Sequence, residues 1–177
     1  TLRCIGSVAL IDSLNLPPTT SDYAVEGTAA HTLGEECLRE KKEPQEYLGD
    51  KLDVTVEVPD EDGTILEETQ WVEVTQDMVD AVEKYVTTVR REAYGNVLLI
   101  EKRVNCSKVL GHQPETGEPR SGTADAIIIP RSSNKALQIH DYKHGKGVEV
   151  HAEKNFQMMV YGASFLLENI KKLPHKT

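Results

Sequence analysis

Apolar positions recur along this chain at two spacings, and the change from one to the other divides it into elements. Residues 75–94 carry Met78, Val79, Val82, Tyr85, Val86 and Val89 on one helical stripe, with Gly95 as a stop signal. Residues 97–104 (VLLIEKRV), 122–130 (GTADAIIIP) and 136–143 (ALQIHDYK) are rich enough in β-branched and apolar residues to be strands. Upstream, a short amphipathic helix is predicted over 2–14 and a second from Ser21 or Asp22 to about Lys42, ahead of Pro44. Residues 45–74 read least clearly: a short strand at 52–58, an acidic loop around Asp62-Gly63, and a returning strand at 71–74. A last helix is predicted over 152–172. Strands bracketed by helices imply an α/β sandwich with a mixed sheet.

The polar run 131–135 between the second and third strands of this set is turn chemistry. With those five residues as the loop, facing positions sum to 266, so Asp125 falls opposite Asp141, and Lys143 projects from the same face. Like charges directly opposed on a sheet are destabilising, so such a pair implies a cation between them or a shared proton. Hard oxygen ligands favour Mg²⁺ or Mn²⁺ over zinc. Glu101 interrupts an apolar strand and is a third carboxylate for the same cation. His31 and Glu35 lie one helical turn apart on the second helix, where a neutral imidazole is a candidate ligand. Gln157 and Tyr161 repeat that spacing on the last helix, and both side chains can hydrogen-bond a phosphate. Lys143 beside a metal site can neutralise charge that builds up during phosphoryl chemistry.

Charge modifies this picture in one respect. The chain has a net charge of −9, which argues against a polyanionic partner, but −6 of it lies in residues 57–68. From Arg131 onward eight basic residues outnumber four acidic ones, and that half carries the candidate site. No run of about 18 apolar residues is present, so no membrane span is expected. Cys4, Cys37 and Cys106 form no CxxC pair, which favours a reducing, cytoplasmic setting. No phosphate-binding GxxxxGK[ST] loop and no serine nucleophile elbow occurs.

The ordered set Gly27-Thr-x-x-His31, Glu101, Gly122-x-x-Asp125, Asp141-Tyr-Lys143 and Gln157-x-x-x-Tyr161 resembles the RecB-like branch of the PD-(D/E)XK nuclease superfamily. More narrowly, the Cys4-x-Gly-Ser-Val-Ala start, the EGTAAH helix, the GTADAI strand and the DYKHGKGV segment resemble a phage-associated family of RecB-like exonucleases. The resemblance implies a restriction-endonuclease-like core, αβββαβ, over residues 75–172. Residues 1–44 would then be an N-terminal helical segment carrying His31, and residues 45–74 an acidic insertion, all in one nuclease domain. The closing strand has no counterpart before Thr177, which predicts a missing C-terminal region or a trimmed fragment.

The resemblance further implies Asp125, Asp141 and Lys143 as catalytic residues. It implies His31, Glu101, Asp125, Asp141 and the carbonyl of Tyr142 as ligands of Mg²⁺ or Mn²⁺. Gln157 and Tyr161 would orient substrate, with Lys146 as a further candidate contact. Related exonucleases hold an iron–sulfur cluster on one N-terminal and three C-terminal cysteines, but Cys4 has no such trio and no cluster is expected. The expected activity is metal-dependent hydrolysis of DNA, as an exonuclease of phage or prophage recombination or replication in the host cytoplasm. A phage single-strand annealing or replication protein is the candidate protein partner. Two readings compete with this: a nuclease-fold DNA-binding or assembly protein without turnover, and an acidic protein-interaction module that uses residues 57–68.

Overall fold

The computed structural model describes residues 22–59, 64–110, 119–132, 134–145, 153 and 155–170. The helix expected at 2–14, Cys4, and the Lys146 candidate lie outside them. Helix α1 spans Asp22–Glu40, and a 3-10 turn at Pro44–Tyr47 leads to β1 (Lys51–Pro59) and β2 (Ile65–Glu73). Then follow α2 (Gln76–Ala93), β3 (Val97–Asn105), the short α3 (Ser107–Leu110), β4 (Ser121–Ile129), β5 (Gln138–His140) and α4 (Phe156–Asn169).

Local chemistry explains the helix ends. Thr75 accepts the amide N–H of Met78 and starts α2, a cap that stabilises by about 1 kcal/mol. Gly95, at φ 72°, lies just past that helix, where a left-handed residue turns the chain back toward β3. Lys41, at φ 59°, does the same after α1 without a glycine. Val25, Ala29, Leu33 and Cys37 recur every fourth residue on α1 and are buried. The predicted stripe of α2 is also buried at Met78, Val79, Val82, Val86 and Val89.

Every described strand pair is antiparallel, where a mixed sheet was expected: β1 pairs with β2, and β3, β4 and β5 form a second sheet in that order. Parallel neighbours need a crossover of a dozen or more residues, and the strands here are joined by shorter links or by a connector that returns the chain alongside its own start. The segment expected to be an acidic insertion folds in its described part as a hairpin. Leu52, Val54 and Val56 from β1 share one core with α1 and α2. Strand β2 begins six residues earlier than expected, at Ile65, because Glu68 and Gln70 face the buried Val56 and Val54 across the ladder, and polar residues on the core side conceal the alternation.

The second sheet separates two cores. On one side, Leu98, Ile100, Ala126 and Ile128 pack with α1 and α2. On the other, Leu99, Val104, Ala124 and Ile127 pack with Val160 and Phe165 of α4. These memberships break the two-residue period of a strand. Ala124 should share a side with Ala126, and Val104 with Ile100, yet both lie across the sheet. The phase changes at one level of the ladder, where the pair Glu101–Asp125 is missing between Ile100↔Ala126 and Lys102↔Ala124. Glu101 has φ 48°, a left-handed conformation that costs a non-glycine residue about 1–2 kcal/mol. A left-handed residue twists the strand about its axis, as in a bulge.

Candidate functional site

The phase break aims two carboxylates at the middle of α1. His31, on the α1 face that packs toward the sheet, has Nδ1 3.5 Å from Asp125 Oδ2. One donor atom from each of His31, Glu101 and Asp125 lies within 4.8 Å of the other two. Ile100 and Glu101 therefore turn to the same side although they are consecutive, as do Asp125 and Ala126. Without the break, one member of each pair would face α4.

The electrostatics follow from this crowding. The hydrogen bond that the Asp125 carboxylate accepts from the imidazole raises the proton affinity of His31, against an opposing effect of burial. Burial pushes the Glu101 carboxyl up, and the charges of Asp125 and Glu35 push it further. A partly buried carboxyl that resists ionisation beside a second carboxylate is a group whose charged form a cation would favour. One imidazole nitrogen and two carboxylate oxygens form a donor set that fits a divalent ion such as Mn²⁺ or Mg²⁺. Glu35, one turn beyond His31, is engaged by Arg39 Nε at 2.6 Å.

Asp141 stands apart from this trio. Strand β5 pairs with β4 in the expected register, with Ala126↔His140, Ile127↔Ile139 and Ile128↔Gln138 all summing to 266. The ladder stops there, however, so the expected pair of Asp125 with Asp141 does not form. The amide N–H of Tyr142 instead donates to Asp125 Oδ2 at 2.5 Å. The Asp141 side chain is only 4% exposed, and its Oδ2 meets Lys143 Nζ at 2.7 Å. Gln157 of α4 donates to Asp141 Oδ1 at 3.3 Å and to the hydroxyl of Tyr161 at 3.3 Å. The candidate residues thus form two adjoining groups. His31, Glu101 and Asp125 make one, and Asp141, Lys143, Gln157 and Tyr161 make the other, with Tyr142 between them.

Three side chains join this region without having been singled out by spacing. The Tyr142 ring stacks on Tyr85 of α2 at 5.0 Å between centroids and meets His31 edge-on at 5.4 Å. Its hydroxyl bonds His144 Nδ1 at 3.0 Å, and His144 Nε2 lies 3.4 Å from Glu26 of α1. Burial pushes the Tyr142 phenol up to about 12, so it stays protonated across the working range. Tyr85 reads in sequence only as one more residue of an apolar stripe. Glu26 and His144 belong to the EGTAAH and DYKHGKGV segments, but they lie 118 residues apart and no spacing pairs them.

The sequence profile of a family described as a protein of unknown function, DUF2800, matches residues 2–171. No solved structure matches the chain. Among the described residues, no helix is long and apolar enough to cross a membrane.

Proposed function

We propose that this chain, which belongs to the DUF2800 family, is a metal-dependent nuclease that hydrolyses phosphodiester bonds in DNA. The observation that carries the reading is the convergence of His31, Glu101 and Asp125 beside an Asp141–Lys143 ion pair. In this reading α2, the sheet of β3, β4 and β5, and α4 are the αβββα portion of a restriction-endonuclease-like core. The resemblance of the same residues to RecB-like exonucleases supports it and points to DNA as the substrate.

His31, Glu101 and Asp125 would hold Mg²⁺ or Mn²⁺. When bound, such an ion supplies Lewis acidity toward a phosphoryl oxygen and toward water. Tyr142 holds Asp125 in place through its amide, which leaves Oδ1 free of that bond. Asp141 keeps the Lys143 ammonium at a fixed place, while the lysine side chain remains 48% exposed. An accessible ammonium of this kind can offset negative charge as it builds on a phosphoryl oxygen. Gln157 and Tyr161 border the same carboxylate and complete the polar rim.

The test is cleavage of end-labelled linear DNA, single- and double-stranded, by the purified protein with Mn²⁺. Shortened products are expected with the wild-type protein and none with Asp125→Asn. Intact DNA in every wild-type reaction, together with no heat of Mn²⁺ binding by calorimetry, would sink the proposal.

A further inference from the structure

Gly122, at the start of β4, and Tyr161, in the second turn of α4, approach more closely than any side chain at 122 would allow. A methyl group built on Gly122 would stand 2.5 Å from Cε1 and 2.6 Å from Cζ of Tyr161, and nearer still to its hydroxyl oxygen. Non-bonded carbon atoms settle at about 3.5–4.0 Å, so the phenol ring rests on bare backbone. Among the described residues the glycines with positive φ are Gly49, Gly95 and Gly145, so at position 122 close approach, not backbone conformation, is what calls for glycine. Gly162 on the same helix is different: a methyl there would meet Ile139 Cγ1 at an ordinary 3.6 Å.

The bonds beyond the ring indicate what the seat is for. Tyr161 is partly buried against the core beneath α4, and its hydroxyl accepts from Gln157 Nε2 at 3.3 Å. The same amide donates to Asp141 Oδ1, and the other oxygen of that carboxylate meets Lys143 Nζ. Gln157 is itself exposed, and a glutamine without a fixed partner keeps most of its rotamer freedom. A carboxylate held at both oxygens has one rotational setting, and the lysine it pairs with inherits that setting. We propose that Gly122 is a positioning residue: its missing side chain seats Tyr161, which fixes Gln157 and, through it, the Asp141 carboxylate and the Lys143 ammonium. The inference deepens the nuclease reading and rests on it only for what Lys143 then does.

The experiment is NMR of the Gln157 side-chain amide in the metal-free protein, comparing wild type with Gly122→Ala, Tyr161→Phe and Gly162→Ala. In the wild type the two amide protons should be dispersed and protected from exchange. Gly122→Ala and Tyr161→Phe should collapse them to the values of a free glutamine, and Gly162→Ala should leave them in place. Tyr161→Phe asks for no space at position 122, so it reports even if Gly122→Ala fails to fold. Gln157 signals that stay dispersed in Tyr161→Phe, or that move equally in Gly162→Ala, would overturn the proposal. Neither metal nor DNA is present, so this outcome is separate from failure of the nuclease reading. Where cleavage is measurable, Gly122→Ala should slow it about 10- to 100-fold, as loss of an orienting partner does. An unchanged rate would also overturn the role.

Discussion

The hairpin of β1 and β2 and the sheet of β3, β4 and β5 use strands of the same length, nine residues in four of the five, but to different ends. In the hairpin every pair from Lys51↔Glu73 to Pro59↔Ile65 keeps one register, and β1 alternates without fault between buried Leu52, Val54 and Val56 and exposed Lys51, Asp53 and Thr55. In the second sheet the ladder skips Glu101 and Asp125, and the sides exchange across the gap. Regular alternation sorts apolar from polar residues but cannot turn two neighbours the same way. A strand that must deliver Ile100 to a core and Glu101 to the rim of that core has to break step, and the left-handed Glu101 is where it does. The regular sheet supports the core, and the irregular one carries the candidate site.

The sharpest way to break that comparison is at the carboxylates themselves. Asp125→Asn keeps an acceptor for the Tyr142 amide but loses the charge, so Mn²⁺ binding measured by calorimetry and DNA cleavage should both become undetectable. Lys143→Ala should leave Mn²⁺ binding intact and lower the cleavage rate by about 10²–10³, the usual effect of removing one preorganised charge donor.

Glu101 separates strain from ligation. Glu101→Ala and Glu101→Gly both remove the carboxylate, and both should weaken Mn²⁺ binding at least about tenfold, by comparison with the loss of outer-shell partners. In urea titrations, however, the glycine variant should be the more stable of the two by about 1 kcal/mol. In the interior of an ordinary strand the order is reversed, because glycine is less favourable there than alanine.

His31 adds a pH dependence with two signs. Its folded-state pKa is raised by Asp125, so the stabilisation it gives the metal-free protein is complete below about pH 6.5 and is lost as pH rises through the folded value. An imidazole binds a metal only when neutral, so Mn²⁺ affinity should move the opposite way and increase over the same rise in pH. Paired thermal melts with Mn²⁺ and with chelator should diverge as pH increases, and His31→Gln should remove most of the divergence.

The smallest effect belongs to the regular hairpin. Lys51→Glu places a like charge opposite Glu73 and should cost only about 0.2–1 kcal/mol, with Mn²⁺ binding unchanged.

What was legible in the sequence follows the same division. The stripe of α2, the run of β4 and the register of β4 with β5 all rest on periodicity or loop length, and each could be placed from residue order. The gap at Glu101 and Asp125 could not. A left-handed residue normally announces itself as Gly or Asn, and here it is a glutamate held by its surroundings. The expected facing of Asp125 and Asp141 failed for that reason: register fixes which residues are level, whereas a twist in the strand decides where they point. His31 was visible from its helical spacing to Glu35, but its approach to Asp125 depends on how α1 packs on the sheet. In β2, Glu68 and Gln70 on the core side hide the alternation, so only the end of the strand carries a signal.

Arg90 gives α1 a mechanical role. Its guanidinium, at the end of α2, binds the carbonyls of Cys37 and Lys42 at 2.9 and 2.6 Å and the carboxylate of Glu43 at 2.7 Å, so it grips the far end of α1. The near end is tethered where Glu26 meets His144. Contacts at both ends oppose rolling and sliding of a helix that carries the imidazole at midspan. In the proposed metal site, ions of different radius would then be accommodated from the sheet side, by Glu101 and Asp125.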